Sequence, residues 1–114
     1  MELRDFEKCV EEALKAIPKD FRDMLENITI EVEPEHLAYN KDNQLILGQY
    51  TGVPLPMRGT GYRNVMPDKI VIYRRAFDNY SPETLPALIA NVLQHEIGHY
   101  FGMSEEELGK YKKV

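Results

Sequence analysis

From Leu85 to Leu93 the chain is apolar at almost every position, with only Asn91 interrupting and Pro86 neutral. A helix that is hydrophobic on most of its sides has to be buried. Ser81 and Pro82 have the character of a helix start. Pro86 complicates the first turn, which moves the regular helix nearer Thr84. The pattern continues to about Phe101, and Gly102 is a natural stop, because glycine adopts positive φ at little cost.

The end of this helix reads His95-Glu96-Ile97-Gly98-His99. On a helix, residues i and i+4 are separated by about 400°, so they share a face one turn apart. His95 and His99 therefore point the same way, with Glu96 beside them. This is the H-E-x-x-H arrangement, in which two imidazoles share one metal ion and the glutamate reaches its water. Zinc suits it, since imidazole nitrogen is a good ligand and a catalytic site keeps one position for water. Chance gives the motif in a chain this long on the order of a few times per thousand. Two of the chain's three histidines lie in it. The plain alternative is a pair of half-exposed polar residues capping a core. Against it stands the setting, because a lone charged glutamate is costly at the end of a buried helix.

Zinc needs a third protein ligand, and Glu105 follows Gly102 by three residues. The spacing is that of H-E-x-x-H-x-x-G-x-x-H with glutamate in the last place, and a carboxylate can ligate zinc. Glu106 is the alternative. Ser104 to Glu107 also reads as a capping box opening a short last helix. The two readings are compatible, because Glu105 is not needed by the box.

Upstream, apolar residues at Leu3, Phe6, Cys9/Val10, Ala13/Leu14 and Ile17 predict an amphipathic helix that Pro18 ends. Phe21 to Leu25 adds a further helical turn. From Asn27 to Glu33 the alternation of Ile28, Ile30 and Val32 with Thr29, Glu31 and Glu33 predicts a half-buried strand. Leu45–Tyr50 and Lys69–Arg75 are the second and third strands. Gly52 to Pro67 is rich in Gly and Pro and is read as a loop, of a length that is often functional.

The 114 residues fit one domain spanning 1–114. The net charge of -5 and pI near 5.2 argue against nucleic acid and against an anionic membrane surface as partners. The single cysteine, Cys9, excludes an internal disulfide and reads as a small apolar residue of a helix face. The N-terminus is charged at once, without the apolar core of a signal peptide, and no apolar run is as long as a membrane span. The expected location is cytoplasmic by default.

The chain resembles the small bacterial zincin-like metallopeptidases, a domain family first catalogued as one of unknown function. The matching residues are His95 to Glu106, where the family pattern is H-E-I-x-H-x-F-G followed by an acidic pair. The likeness extends to Gly48–Leu55, to Arg58-Gly59-Thr60-Gly61-Tyr62 and to Pro67–Arg74. The resemblance implies an α+β minimal zincin fold, a small mixed sheet packed against an N-terminal helix and a C-terminal active-site helix. It implies Zn2+ held by His95, His99 and an acidic residue that maps to Glu105, with Glu96 as the catalytic carboxylate. One departure from the larger extended-motif proteases is that Met103 precedes the third ligand and cannot be their methionine turn.

The expected function is zinc-dependent hydrolysis of a peptide bond in a peptide or protein substrate, with Glu96 as general base. Strand Lys69–Arg75 is a candidate for pairing with an extended peptide. Tyr62, Tyr73 and Arg74 are candidate substrate-binding residues that would supply a second oxyanion donor, although surface or packing roles suit each of them singly. His36 reads as a loop residue. A rival reading is a non-catalytic module in which zinc staples the last helix and the domain binds a peptide or protein. A metal-dependent ribonuclease is disfavoured, since the comparable bacterial family has Gly where this chain has Glu96, and a basic groove.

Overall fold

The computed structural model describes residues 1–25, 28–52, 68–100 and 102. Helix α1 (Leu3–Ala16) buries Phe6, Val10 and Ala13, the spacing of one helical face, and Ile17 continues the buried row. Pro18, whose ring fixes φ, breaks the backbone there and opens the short helix α2 (Lys19–Met24). Cys9 is half-buried and packs against the core, as its place on the helix face implied.

Three strands form one mixed sheet: β1 (Thr29–Glu33), β2 (Gly48–Thr51) and β3 (Lys69–Tyr73). Their order is β1-β3-β2, with β3 parallel to β1 and antiparallel to β2. On β3 the period of two is plain. Ile70 and Ile72 are fully buried, while Lys69, Val71 and Tyr73 on the other face are partly exposed. Ile28, Ile30 and Val32 pack on the same core, as the alternation predicted.

Two strand boundaries differ from the sequence reading. The second strand starts at Gly48, and Leu45 only bridges Tyr39 across a short loop. In that loop Asn40 Oδ1 accepts the N–H groups of Asp42 and Gln44 at 2.9 Å, and Asn43 takes a φ of 60°. Such local side-chain bonding competes with a ladder. The third strand stops at Tyr73, because Arg74–Phe77 winds into a 3-10 turn that buries Ala76 and Phe77. The tilted Phe77 ring lies 5.3 Å from that of Phe6, which ties the turn to α1.

The expectation that the third strand takes up a peptide is overturned. β3 is central, and its neighbours β1 and β2 occupy both of its edges. Among the described residues, only β1 and β2 are edge strands.

Helix α3 (Leu85–Tyr100) follows the 3-10 turn Pro82–Thr84, so the proline-rich start is irregular as expected. It buries Leu85, Ile89, Ala90, Leu93 and Ile97, and it packs against α1 and β2. Ala87 and Asn91, one turn apart, are more open to solvent, so the helix keeps one stripe at the surface. Gly102 has a φ of 72°, and its N–H donates to the His99 carbonyl at 2.9 Å, the left-handed stop its sequence position suggested. The described residues form an α+β fold of three helices and a three-stranded mixed sheet. Among them, no helix is long and apolar enough to cross a membrane.

Candidate metal centre

α3 turns by about 100° per residue, which sets the order of side chains around its last turns. Ile97 faces the core and is fully buried. Glu96 comes round between that face and the histidine pair. Its side chain is 12% exposed and that of His95 is 22% exposed. The three chemical groups thus sit at the border between core and surface, where a ligand can enter but little water surrounds the carboxylate.

His95 Nε2 and His99 Nε2 are 3.1 Å apart, with the rings edge to face at a centroid distance of 4.8 Å. Two nitrogens each about 2.0–2.1 Å from a tetrahedral zinc lie about 3.3 Å from one another. The pair therefore fits a shared ion without rearrangement of the helix. Ligand atoms of His95, Glu96 and His99 all lie within 4.8 Å of one another. Glu105, its alternative Glu106, and Tyr62 lie outside the described residues.

The two oxygens of Glu96 have different neighbours. Oε2 is 4.0 Å from His95 Nε2. Oε1 accepts the backbone N–H of Tyr50 at 2.7 Å, a short charge-assisted bond to edge strand β2. What brings that strand so near is Gly48. A Cβ there would stand 2.7 Å from Val92 Cγ1, so only glycine lets α3 approach this closely. Val92 and Glu96 are one turn apart on the helix, about 6 Å of rise. Gly48 and Tyr50 are two residues apart on the strand, about 6.8 Å. The two spacings match, so the Gly48–Val92 contact also sets Tyr50 beside Glu96.

A family model described as zincin-like metallopeptidase matches residues 25–113. The chain belongs to that family. Membership in the zincin-like metallopeptidases implies a metal, usually zinc, and His95, Glu96 and His99 are the group that the described residues offer it. A solved structure, a conserved hypothetical protein from Thermo thermophilus, is similar at a TM-score of 0.55 and 21% identity, over 94% of this chain and 96% of that one. At that identity the likeness concerns the fold. No curated protein matches the chain.

The other candidates fall in different places. Tyr73 closes β3, and its hydroxyl donates to Gln49 Oε1 at 3.1 Å. Its pKa is pushed up by burial, and further by the negative charges of Glu33 and Glu96, which puts the phenol within electrostatic reach of the centre. Arg74 is turned elsewhere. Its Nε donates to the Pro34 carbonyl at 2.9 Å, Nη1 to the Met1 carbonyl at 2.7 Å, and Nη2 pairs with Glu35 at 3.3 Å. These contacts tie the N-terminus to the segment after β1. His36 lies in that segment, exposed, beside Glu33.

Two residues that the sequence reading named only within longer resembling segments, with no role of their own, lead to the centre, Tyr50 directly and Asp68 through Tyr50. Tyr50 supplies the N–H to Glu96, and its hydroxyl donates to Asp68 Oδ1 at 2.9 Å. Asp68 is buried at 5% exposure directly before β3. A buried aspartate is not readable from Pro67-Asp68-Lys69, which looks like an ordinary polar turn.

Proposed function

We infer that this zincin-like chain is a zinc-dependent peptidase in which Glu96 is the general base. The observation that supports it most is the split carboxylate, with one oxygen held by the β2 backbone and the other turned to the His95–His99 pair. Zinc, when bound, supplies the Lewis acidity that activates water and polarises the scissile carbonyl. His95 and His99 are its proposed ligands, completed by Glu105, with Glu106 as the alternative. Glu96 Oε2 takes a proton from the attacking water as the C–O bond forms. It delivers that proton to the leaving amine as the C–N bond breaks.

The partner is an extended peptide or protein segment. Among the described residues β2 is the edge strand beside α3, and strand addition there would bring a peptide bond to Glu96. Of the candidate oxyanion donors, Arg74 is disfavoured by its contacts with Met1, Pro34 and Glu35, and Tyr73, which feels the charge of Glu96, would first have to release its hydroxyl from Gln49.

The test has two arms. Elemental mass spectrometry should find about one zinc per chain, lost in His99→Ala. Glu96→Gln should keep the zinc and lower hydrolysis of a mixed peptide library by about 10²- to 10⁴-fold. Undiminished hydrolysis in Glu96→Gln would remove the general-base assignment. One zinc per chain with no hydrolysis of any peptide would favour the non-catalytic binding module.

A further inference from the structure

We propose that Tyr50 and Asp68 are positioning residues for the Glu96 carboxylate, acting together as a brace that fixes which of its oxygens faces the metal pair. The proposal rests on the peptidase reading for its consequence in catalysis, but not for its geometry.

The brace is visible bond by bond. Tyr50 is held at both of its ends. Its backbone N–H donates to Glu96 Oε1 at 2.7 Å, and its hydroxyl donates to Asp68 Oδ1 at 2.9 Å. The two bonds leave the residue in different directions, one from the strand edge and one along the helix-facing side of the sheet. On that side Tyr50 lies opposite Ile70, and Asp68 lies two residues before Ile70 on the same face. The phenol spans this diagonal, which is within the reach of an aromatic side chain on an antiparallel pair.

Asp68 is itself fixed. Its carbonyl accepts the N–H of Thr29, the first residue of β1, at 3.0 Å. It is buried, and a hydrogen bond from a phenol to a buried carboxylate is among the stronger kinds. The chain makes room for it at Gly52. A Cβ on that residue would run into Asp68 Oδ1 and stand 2.7 Å from the Tyr50 hydroxyl, at a φ of +153° that side chains rarely adopt. The Asp68–Tyr50 pair is thus built into the end of β2 and does not lie on it by accident of rotamer.

A glutamate on a helix has three side-chain torsions, and loss of one anchoring bond lets its carboxylate rotate. With Oε1 on Tyr50 N–H, the other oxygen is directed toward His95, at 4.0 Å from Nε2. Without the phenol bond, β2, which is four residues long, keeps its ladder to β3 and the Tyr73–Gln49 bond but loses the side-chain bond that holds Tyr50 itself to Asp68. The Tyr50 N–H then gains freedom relative to α3. A general base displaced by a fraction of an ångström to an ångström loses about one to two orders of magnitude in rate.

The experiment uses the full chain loaded with zinc, and the amide resonance of residue 50 in 15N–1H spectra. In the wild type this amide should exchange slowly with solvent and lie downfield, because its acceptor is charged. Glu96→Ala should abolish both properties. Tyr50→Phe, which removes only the hydroxyl, should move the amide part of the way toward its Glu96→Ala position. Zinc stoichiometry should stay at one, and the visible spectrum of the cobalt-substituted protein should stay unchanged. On a cleaved peptide, Tyr50→Phe should lower kcat by about tenfold or more and leave KM within about twofold. Asp68→Asn keeps an acceptor oxygen and should fall nearer the wild type than Asp68→Ala in the amide spectrum. An amide at residue 50 that ignores Glu96→Ala would overturn the proposal, as would a Tyr50→Phe variant with wild-type amide exchange and kcat. Should Glu96→Gln retain full hydrolysis, the peptidase reading falls by itself, and the amide measurements still decide the brace.

Discussion

Glu33 accepts the backbone N–H of Glu35 at 2.7 Å and of His36 at 2.9 Å on one oxygen. Its pKa is lowered, first by the His36 N–H and then by that of Glu35, because both bonds favour the charged form. A folded pKa below the unfolded value contributes stability that is present above the unfolded value, about 4.3 for glutamate. That contribution is lost as pH falls through the lower folded value. The stability that Glu33 contributes through these two bonds, read as the difference between wild type and Glu33→Ala, should therefore shrink as the solution is made more acid than about pH 5. Urea titrations at a series of pH values measure it, and a difference that does not change with pH would refute it. Tyr73 shifts the other way. Its raised pKa favours the neutral phenol, so its contribution is complete below the ordinary tyrosine range and is lost as pH rises through the folded value. Since Glu96 is one of the causes, Glu96→Gln in metal-free protein should lower the Tyr73 ionisation toward the ordinary value. Tyrosine Cζ chemical shifts followed through alkaline pH would show it.

At the scale of elements, the contact between α3 and β2 does the most for the site. Gly48 has no side chain where Val92 Cγ1, Ile72 Cδ1 and the Val71 carbonyl close in at 2.7, 3.1 and 3.2 Å from its missing Cβ. Gly48→Ala should cost about 1–3 kcal/mol through overpacking. Because the crowding atom is chiefly Val92 Cγ1, Val92→Ala should relieve part of that cost. The double variant should then be more stable than the sum of the single changes predicts, by about 0.5 kcal/mol or more. Strict additivity in denaturant midpoints would place the crowding on β3, at the Ile72 side chain and the Val71 carbonyl. The same contact marks the limit of what the sequence makes legible. α1, the core face of β1, α3 and its glycine stop are written in local periods of 3.6 and 2, and the His95–His99 geometry follows from the helix alone. The approach of Tyr50 to Glu96 joins residues 46 apart in sequence, and no local pattern encodes it. The middle place of β3 is of the same kind. Its apolar run predicts a buried strand but not which strands flank it, and so the strand proposed to meet a peptide is β2 and not β3. β2 begins later than its pattern implies because the side-chain bonds of Asn40 hold residues 40–44 in a turn, across which Leu45 and Ile46 pair with Tyr39 and Ala38 and not with β3.

For the whole molecule, metal and fold are linked. His95 and His99 sit near the end of the helix whose Ile89, Leu93 and Ile97 are fully buried, so an ion bound there holds the end of the central core helix in place. An ion that binds the folded chain and not the unfolded one stabilises by RT ln(1 + [L]/Kd), about 2.7 kcal/mol when the metal is at about a hundred times its Kd. For a chain of this size that raises Tm by about 10 °C. Chelation with EDTA should take the gain away, and His99→Ala should melt at one temperature with or without zinc. Glu96→Gln separates the two jobs of the site. It leaves both imidazoles in place, so it should keep the zinc-dependent rise in Tm while losing hydrolysis. A Glu96→Gln variant that no longer responds to zinc would instead make Glu96 a ligand, and the general base would have to be sought in another residue.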